Sequence, residues 1–233
     1  MPSPPTLEQI RKESQQRIQP SLRNPNWLIL RHRRRIFEEG ISRLSASGLE
    51  ILDVGGRLQP YRTFLGPRVK HYVAVDPLLT PLVNVAAVAE ALPFRDEQFD
   101  FVICTQVMEY LPDPGRAVEE LRRVMRKGGI AFVSAPAVFV RDHDQEYWRF
   151  LPEGLRYLFR EFEKVEVIPE GNSLTGMFRT VNVFLASFFR PRALLPVCQW
   201  TLVPLLNIAG LVLEKAGGKN DSFTANFSVW ARK

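Results

Sequence analysis

The chain is predicted to fold as an open α/β sheet, doubly wound and mostly parallel. Two observations predict it. Short apolar runs of β-forming residues alternate with stretches of helical periodicity. Those runs are apolar on both faces, as buried parallel strands require. Seven strands are expected, at 49–54, 71–75, 82–88, 99–104, 130–133, 165–168 and 223–230. A chain of 233 residues is ample for one such domain with insertions.

Residues 1–47 precede the first strand and read as one or two helices, with Trp27, Leu28, Leu30, Ile36, Phe37, Ile41 and Leu44 as a broken apolar stripe. They hold nine basic against four acidic residues, so most of the chain's net charge of +6 lies here. The run Arg31, Arg33, Arg34 and Arg35 (around His32) suits an anionic membrane surface, nucleic-acid phosphates or a solvated helix face. Nucleic acid is the least favoured, because no stacking aromatics interleave with the arginines.

Leu49–Val54 runs into Gly55 and Gly56, and glycines at a strand-to-helix turn let backbone approach a ligand. The next strand, His71–Val75, ends at Asp76. An acid there, about twenty positions past a glycine turn, is placed to accept hydrogen bonds from a ribose diol; a plain turn residue is the alternative. Leu82–Val88 is expected as the third strand and Phe99–Cys104 as the fourth. Pro114–Lys127 has Ala117, Val118, Leu121, Val124 and Met125 at helical spacing, closed by Gly128 and Gly129. Ile130–Val133 resumes as a strand. Pro152 and Glu153 open a further helix with Leu155, Leu158, Phe159 and Phe162 as its buried stripe, followed by a strand at Val165–Ile168.

The last third is apolar. Ala193–Leu213 contains no charged residue, near the roughly 20-residue threshold for a membrane span. Pro196, Gln199, Pro204 and Asn207 interrupt it, and the chain returns to a final strand at Phe223–Trp230. Both ends must then sit on one domain. A helical insertion at about 173–218 is expected, covering the active site or lying in a membrane interface.

The segment LPFRDEQFDFV, then EYLPDP, then RVMRKGG resembles the class I S-adenosylmethionine-dependent methyltransferases, of the type 11-like subgroup with LPF-x-D, E-H-x-x-D-P and R-V-L-x-P-G-G. Tyr110 stands where His is common and Lys127 where Pro is. The first motif, D-x-G-x-G-x-G in that family, reads with Gly55 matched and with Arg57 and Gln59 in place of the next two glycines. The resemblance implies a Rossmann-like domain with an antiparallel last strand at 48–233 behind the basic helical segment 1–47, with S-adenosyl-L-methionine as cofactor. It implies Asp53, Gly55 and Gly56 near the methionine part and Asp76 on the ribose. Ala89, Glu90, Ala91 and Leu92 would surround the adenine, with Thr105 and Gln106 lining the sulfonium. Val88 occupies a position where the family often has Asp. The run EYWRFLPEGL also resembles the family's loop facing the transferable methyl, which makes His143, flanked by Asp142 and Asp144, the candidate general base for an alcohol acceptor. A polar loop histidine without that role is the alternative.

The helical insertion and the ending NFSVWARK are similar to methyltransferases of cell-surface glycan and lipid-linked sugar pathways. That implies methyl transfer to an oxygen of a glycan, lipid-linked sugar or other amphiphile, at the cytoplasmic face of a membrane; a small soluble acceptor is the other possibility. Two further alternatives are a catalytically degenerate binding or scaffold protein, motivated by Arg57 and Gln59, and an RNA-modifying methyltransferase, motivated by the basic segment. Two cysteines and three scattered histidines point to neither a disulfide framework nor a metal site. With no apolar signal segment at Met1–Pro5, the cytoplasm is the expected compartment.

Overall fold

A computed structural model describes residues 5–44, 47–141, 144–188 and 195–233. Six strands form one sheet: β1 (Leu49–Val54), β2 (Val69–Val75), β3 (Phe99–Thr105), β4 (Met125–Pro136), β5 (Lys164–Pro169) and β6 (Asn226–Arg232). Their order is β2-β1-β3-β4-β6-β5. The first four run parallel, and β6 lies antiparallel between β4 and β5.

The expected third strand does not form. Within 82–88 only Val85 bridges to Val75. The Asn84 side chain accepts from the Ala74 N–H at 2.8 Å, and the N–H groups of Asn84 and Val85 both donate to the Ala74 carbonyl. A side chain thus occupies the bond that a ladder would need, and the segment stays a loop.

Alternation along the strands divides the core. Ile51, Phe101, Ile103 and Phe132 point to one face; Leu52, Val54, Val102, Cys104 and Val133 point to the other. Helices α4 (Pro114–Val124) and α5 (Pro152–Leu158) cover the second face, with Leu121, Leu155 and Phe159 fully buried. Asp113 caps α4 by accepting from the Arg116 N–H at 2.9 Å, and Pro114 fills its first turn. This helix is one turn shorter than the apolar spacing predicts. Residues 125–127 already belong to β4, where Gly128, at φ +75°, sits beside an irregular register against Phe99–Phe101.

On the first face α1 (Leu7–Ile18) and α2 (Trp27–Ser42) precede the short α3 (Arg62–Leu65). Phe37 of α2 packs its ring 4.5 Å from Tyr61 and 4.9 Å from Phe132. Gly40 lets α2 approach the sheet: a Cβ there would lie 2.0 Å from the Trp230 ring.

The arginine run of α2 is not a free cationic face. Arg33 is 4% exposed and its Nε donates to both oxygens of Glu170, each at 2.9 Å. Ser134 and Ser228 donate to the same carboxylate at 2.6 and 2.7 Å. Burial works against the Arg33 charge, but Glu170 outweighs it and raises the guanidinium pKa. Arg31 and His32 each approach Glu214 at 2.7 Å, while Arg34 and Arg35 pair with Glu38 and Glu39 one turn along. Burial thus takes Arg33 out of the expected anion-binding stripe, while Arg31, Arg34 and Arg35 stay partly exposed beside carboxylates of the same chain.

The C-terminal insertion comprises α6 (Ser173–Phe188), α7 (Leu195–Trp200) and α8 (Leu202–Leu213). It is bolted to the N-terminal region by buried amides. Asn182 donates to Asn207 at 2.9 Å, and Asn207 donates to the Leu22 and Asn24 carbonyls at 2.7 and 3.0 Å.

Candidate cofactor and acceptor site

A cleft of about 850 Å³ opens at the carboxyl ends of β1, β2 and β3. The chain leaves β1 in one direction for β2 and crosses back to β3 on the other side, so the cleft lies at the switch point where open α/β sheets bind ligands. A cavity of about 490 Å³ near Glu97, Arg122 and Lys233 sits at the opposite, amino ends of the strands, where that argument gives no site.

After β1 the N–H groups of Gly55 and Gly56 both donate to the Val75 carbonyl, at 2.8 and 3.1 Å. Gly55 has φ +74°, and a Cβ on it would lie 2.2 Å from Val107. The two departures from the glycine pattern behave differently. Gln59 takes φ +47° itself and is held by donating its Nε2 to the Leu82 carbonyl at 2.7 Å. Arg57 is not among the described residues with positive φ, so that position needs no glycine; its side chain lines the cleft.

Asp53 and Asp76 line the cleft, 4% and 8% exposed. Burial pushes the Asp53 carboxyl up to about 7, against the Tyr72 hydroxyl, which donates to it at 2.5 Å. The Asp76 carboxyl is also raised by burial, opposed by the Leu78 N–H, which donates at 2.9 Å. Asp76 is therefore both a turn residue and a cleft residue. Gly55, Val88, Ala89 and Glu90 also contribute to the lining, as do Thr105 and Gln106. Gln106 adopts φ +56°, with its N–H donating to the Ser134 carbonyl at 2.8 Å.

Three expected positions fall elsewhere. Gly56 lies behind the cleft, where a Cβ would meet the Asp53 carbonyl oxygen at 2.7 Å. Ala91 is exposed outside the lining. Leu92 is buried in the core, its N–H donating to Glu120 at 2.9 Å, because the turn after Glu90 carries the chain under α4. His143 and Asp142 lie outside the described residues, while Asp144 and Gln145 line the cleft. Among the described residues, none from α6–α8 lines this cleft.

Residues absent from the sequence expectation also join the site. Arg17 of α1 reaches the lining, as do Leu58, Pro60, Leu78 and the segment Tyr110–Pro112. Tyr110 had a signal, since it stands in the family's histidine position; Arg17 had none, being one charge on a polar helix. Behind Tyr110, Glu109 is 3% exposed, one of its oxygens has no hydrogen-bond partner, and burial pushes its carboxyl up to about 7.

These features fit an adenosyl ligand. The volume is sufficient, the Gly55 turn leaves space at the end of β1, and Asp76 offers an acceptor at the end of β2. A family model described as a methyltransferase domain matches residues 29–182. An uncharacterized methyltransferase of Mycolicibacterium gilvum is 33% identical over 102 residues, 39% of this chain and 40% of that protein. The chain thus aligns with about 40% of the length of such curated relatives. Among solved structures, the [4+2]-cyclase SpnF superposes with a TM-score of 0.55 at 18% identity, covering 100% of this chain and 98% of that one. The 1,6-didemethyltoxoflavin-N1-methyltransferase of Burkholderia thailandensis, solved with S-adenosylhomocysteine, gives 0.52 at 16% identity over 88% and 78% of the two chains. These likenesses carry the fold alone. With the family model spanning most of the sheet and the whole glycine turn, the chain belongs to the methyltransferase domain family, the class I group that uses S-adenosyl-L-methionine.

Proposed function

We propose that the protein transfers a methyl group from S-adenosyl-L-methionine to an oxygen of a glycan, lipid-linked sugar or other amphiphilic acceptor in the cytoplasm. The observation that carries the first half is the cleft at the switch point, with Asp76 at the end of β2 and the Gly55 turn at the end of β1. In this reading residues 48–233 form the methyltransferase domain, with an insertion at about 173–218, and residues 1–47 form its helical cover.

The cofactor supplies a methyl group on a positively charged sulfur. Asp76 holds the ribose hydroxyls. The Gly55 turn and Asp53 receive the methionine part, and Val88, Ala89 and Glu90 flank the base. Gln106, held on the end of β3, and Tyr110 bound the space where the acceptor oxygen must align, since displacement at a methyl requires in-line approach and a dry site. His143 is the proposed base for the acceptor hydroxyl, supported by the presence of its neighbours Asp144 and Gln145 in the lining. The amphiphilic acceptor is supported by the apolar surface of the insertion.

Calorimetric titration with S-adenosyl-L-methionine and S-adenosylhomocysteine tests the cofactor site. Absence of binding would favour the degenerate scaffold reading. Labelled-methyl transfer to sugar, lipid-linked sugar, small-molecule and RNA acceptors tests the rest. Label entering only RNA or only nitrogen acceptors would refute the acceptor class.

A further inference from the structure

We propose that the outer face of α6–α8 is a docking surface for an anionic lipid bilayer, on which the protein rests without crossing it. On α8, Leu202, Leu205, Ile208 and Val212 are exposed and lie three or four residues apart, forming one stripe; Val203, Asn207 and Gly210 form the buried stripe behind it. On α6, Val181, Phe184 and Phe188 face outward while Arg179, Asn182 and Val183 face inward. Trp200 at the end of α7 is 63% exposed. From Pro196 to Leu213 the helical segment is apolar enough for a membrane, yet only 22% of it is buried in the protein. A core helix of this composition would be mostly buried.

The occupant follows from charge and topology. None of the three helices carries an Asp or Glu, and their one basic residue, Arg179, is buried beneath the face. Among the described residues the border of this face is basic on balance, with Arg23, Lys215 and Lys219 against the exposed Asp221, while Glu214 is held by Arg31 and His32. Arg23 places its guanidinium 3.1 Å over the Trp200 ring, and exposed Lys215 and Lys219 follow α8. Tryptophan beside arginine at the edge of an apolar patch suits the headgroup level, with lipid phosphates as counter-charge. Crossing is excluded by the fold. Length is not what excludes it, since the 18 residues Pro196–Leu213 span about 27 Å against a hydrocarbon core of about 30 Å. What excludes it is anchorage: Asn207 in the middle of α8 is bonded to the 22–24 loop, and the chain after α8 returns to β6 inside the sheet. Insertion stops at the depth of the side chains.

This deepens the amphiphile reading above, but its test needs neither acceptor nor methyl transfer. The full chain is sedimented with vesicles of phosphatidylcholine, with and without phosphatidylglycerol, and its mass is measured without lipid. A monomer is expected that binds the anionic vesicles more tightly and is released by high salt or carbonate. The double variant Leu205→Glu, Val212→Glu changes two exposed side chains, so its urea midpoint should stay at the parent value while vesicle partitioning falls about tenfold or more. Arg23→Ala should weaken binding to anionic vesicles alone. Failure of the parent to bind, or unchanged binding by the double variant, overturns the proposal. So does a parent dimer that the double variant dissociates, which would assign the face to a second copy. Retention after carbonate would overturn the peripheral mode.

Discussion

Replacing Glu170 by Gln removes the charge that holds Arg33 inside the fold. The carboxylate is fully buried and receives four contacts within 2.9 Å: two from the Arg33 Nε and one from each hydroxyl of Ser134 and Ser228. The amide keeps the volume and one acceptor oxygen, so packing is nearly conserved. What changes is the guanidinium, which is left 4% exposed without its counter-charge. Breaking a buried pair from one side costs about 3–5 kcal/mol. With a urea dependence of about 2–3 kcal/mol per molar, the unfolding midpoint should fall by roughly 1–2 M. Removing both charges, as Arg33→Met with Glu170→Leu, should cost at most about 2 kcal/mol, because the remaining debt is two hydroxyls without an acceptor. The measurement is equilibrium urea unfolding of parent, both single variants and the double variant. A single-variant loss under about 1 kcal/mol, or a double variant as unstable as the sum of the singles, would refute the argument that this pair organises the junction of α2, β4 and β6.

The remaining predictions concern the cleft. Asp76→Ala should weaken S-adenosyl-L-methionine binding about tenfold to a hundredfold by calorimetry, through loss of about 1.5–3 kcal/mol of charge-assisted bonding, and unchanged affinity would remove Asp76 from the ribose site. Arg57→Gly should leave cofactor affinity within about twofold of the parent, since Arg57 has no left-handed backbone to relieve; a large gain would show that Arg57 obstructs the cleft. Asp53 and Glu109, both raised to about 7, keep their protons in the native state at pH values where the unfolded chain has lost them. Their contribution to stability is therefore present near pH 4 and is lost as pH rises toward 7. In the ligand-free protein, Asp53→Asn with Glu109→Gln should flatten that part of the melting temperature against pH, and an unchanged slope would refute the buried-carboxyl assignment.

The strands at β1, β3, β4 and β6 were legible in the sequence because each carries its own signal, an apolar run bounded by glycine, proline or charge. Residues 82–88 gave the same local signal and stayed a loop, because the Asn84 amide captures the Ala74 backbone and no run of apolar residues reveals such a competition. Asp53, Gly55, Asp76, Thr105 and Gln106 were expected together and all line the cleft, since a strand end fixes where the next few residues lie. Leu92 could not be placed correctly, for the turn after Glu90 is set by α4, whose Glu120 draws the Leu92 N–H inward. Arg17 reaches the lining only through packing and left no pattern, whereas Glu109 opens the EYLPDP motif but its burial was not legible there. The arginine run shows the division most clearly. Sequence alone determined that α2 concentrates positive charge, but Coulomb attraction depends on distance in space, not along the chain. Only the tertiary structure brings Glu170, 137 residues away, to within 2.9 Å of Arg33, and so decides that this charge serves the fold.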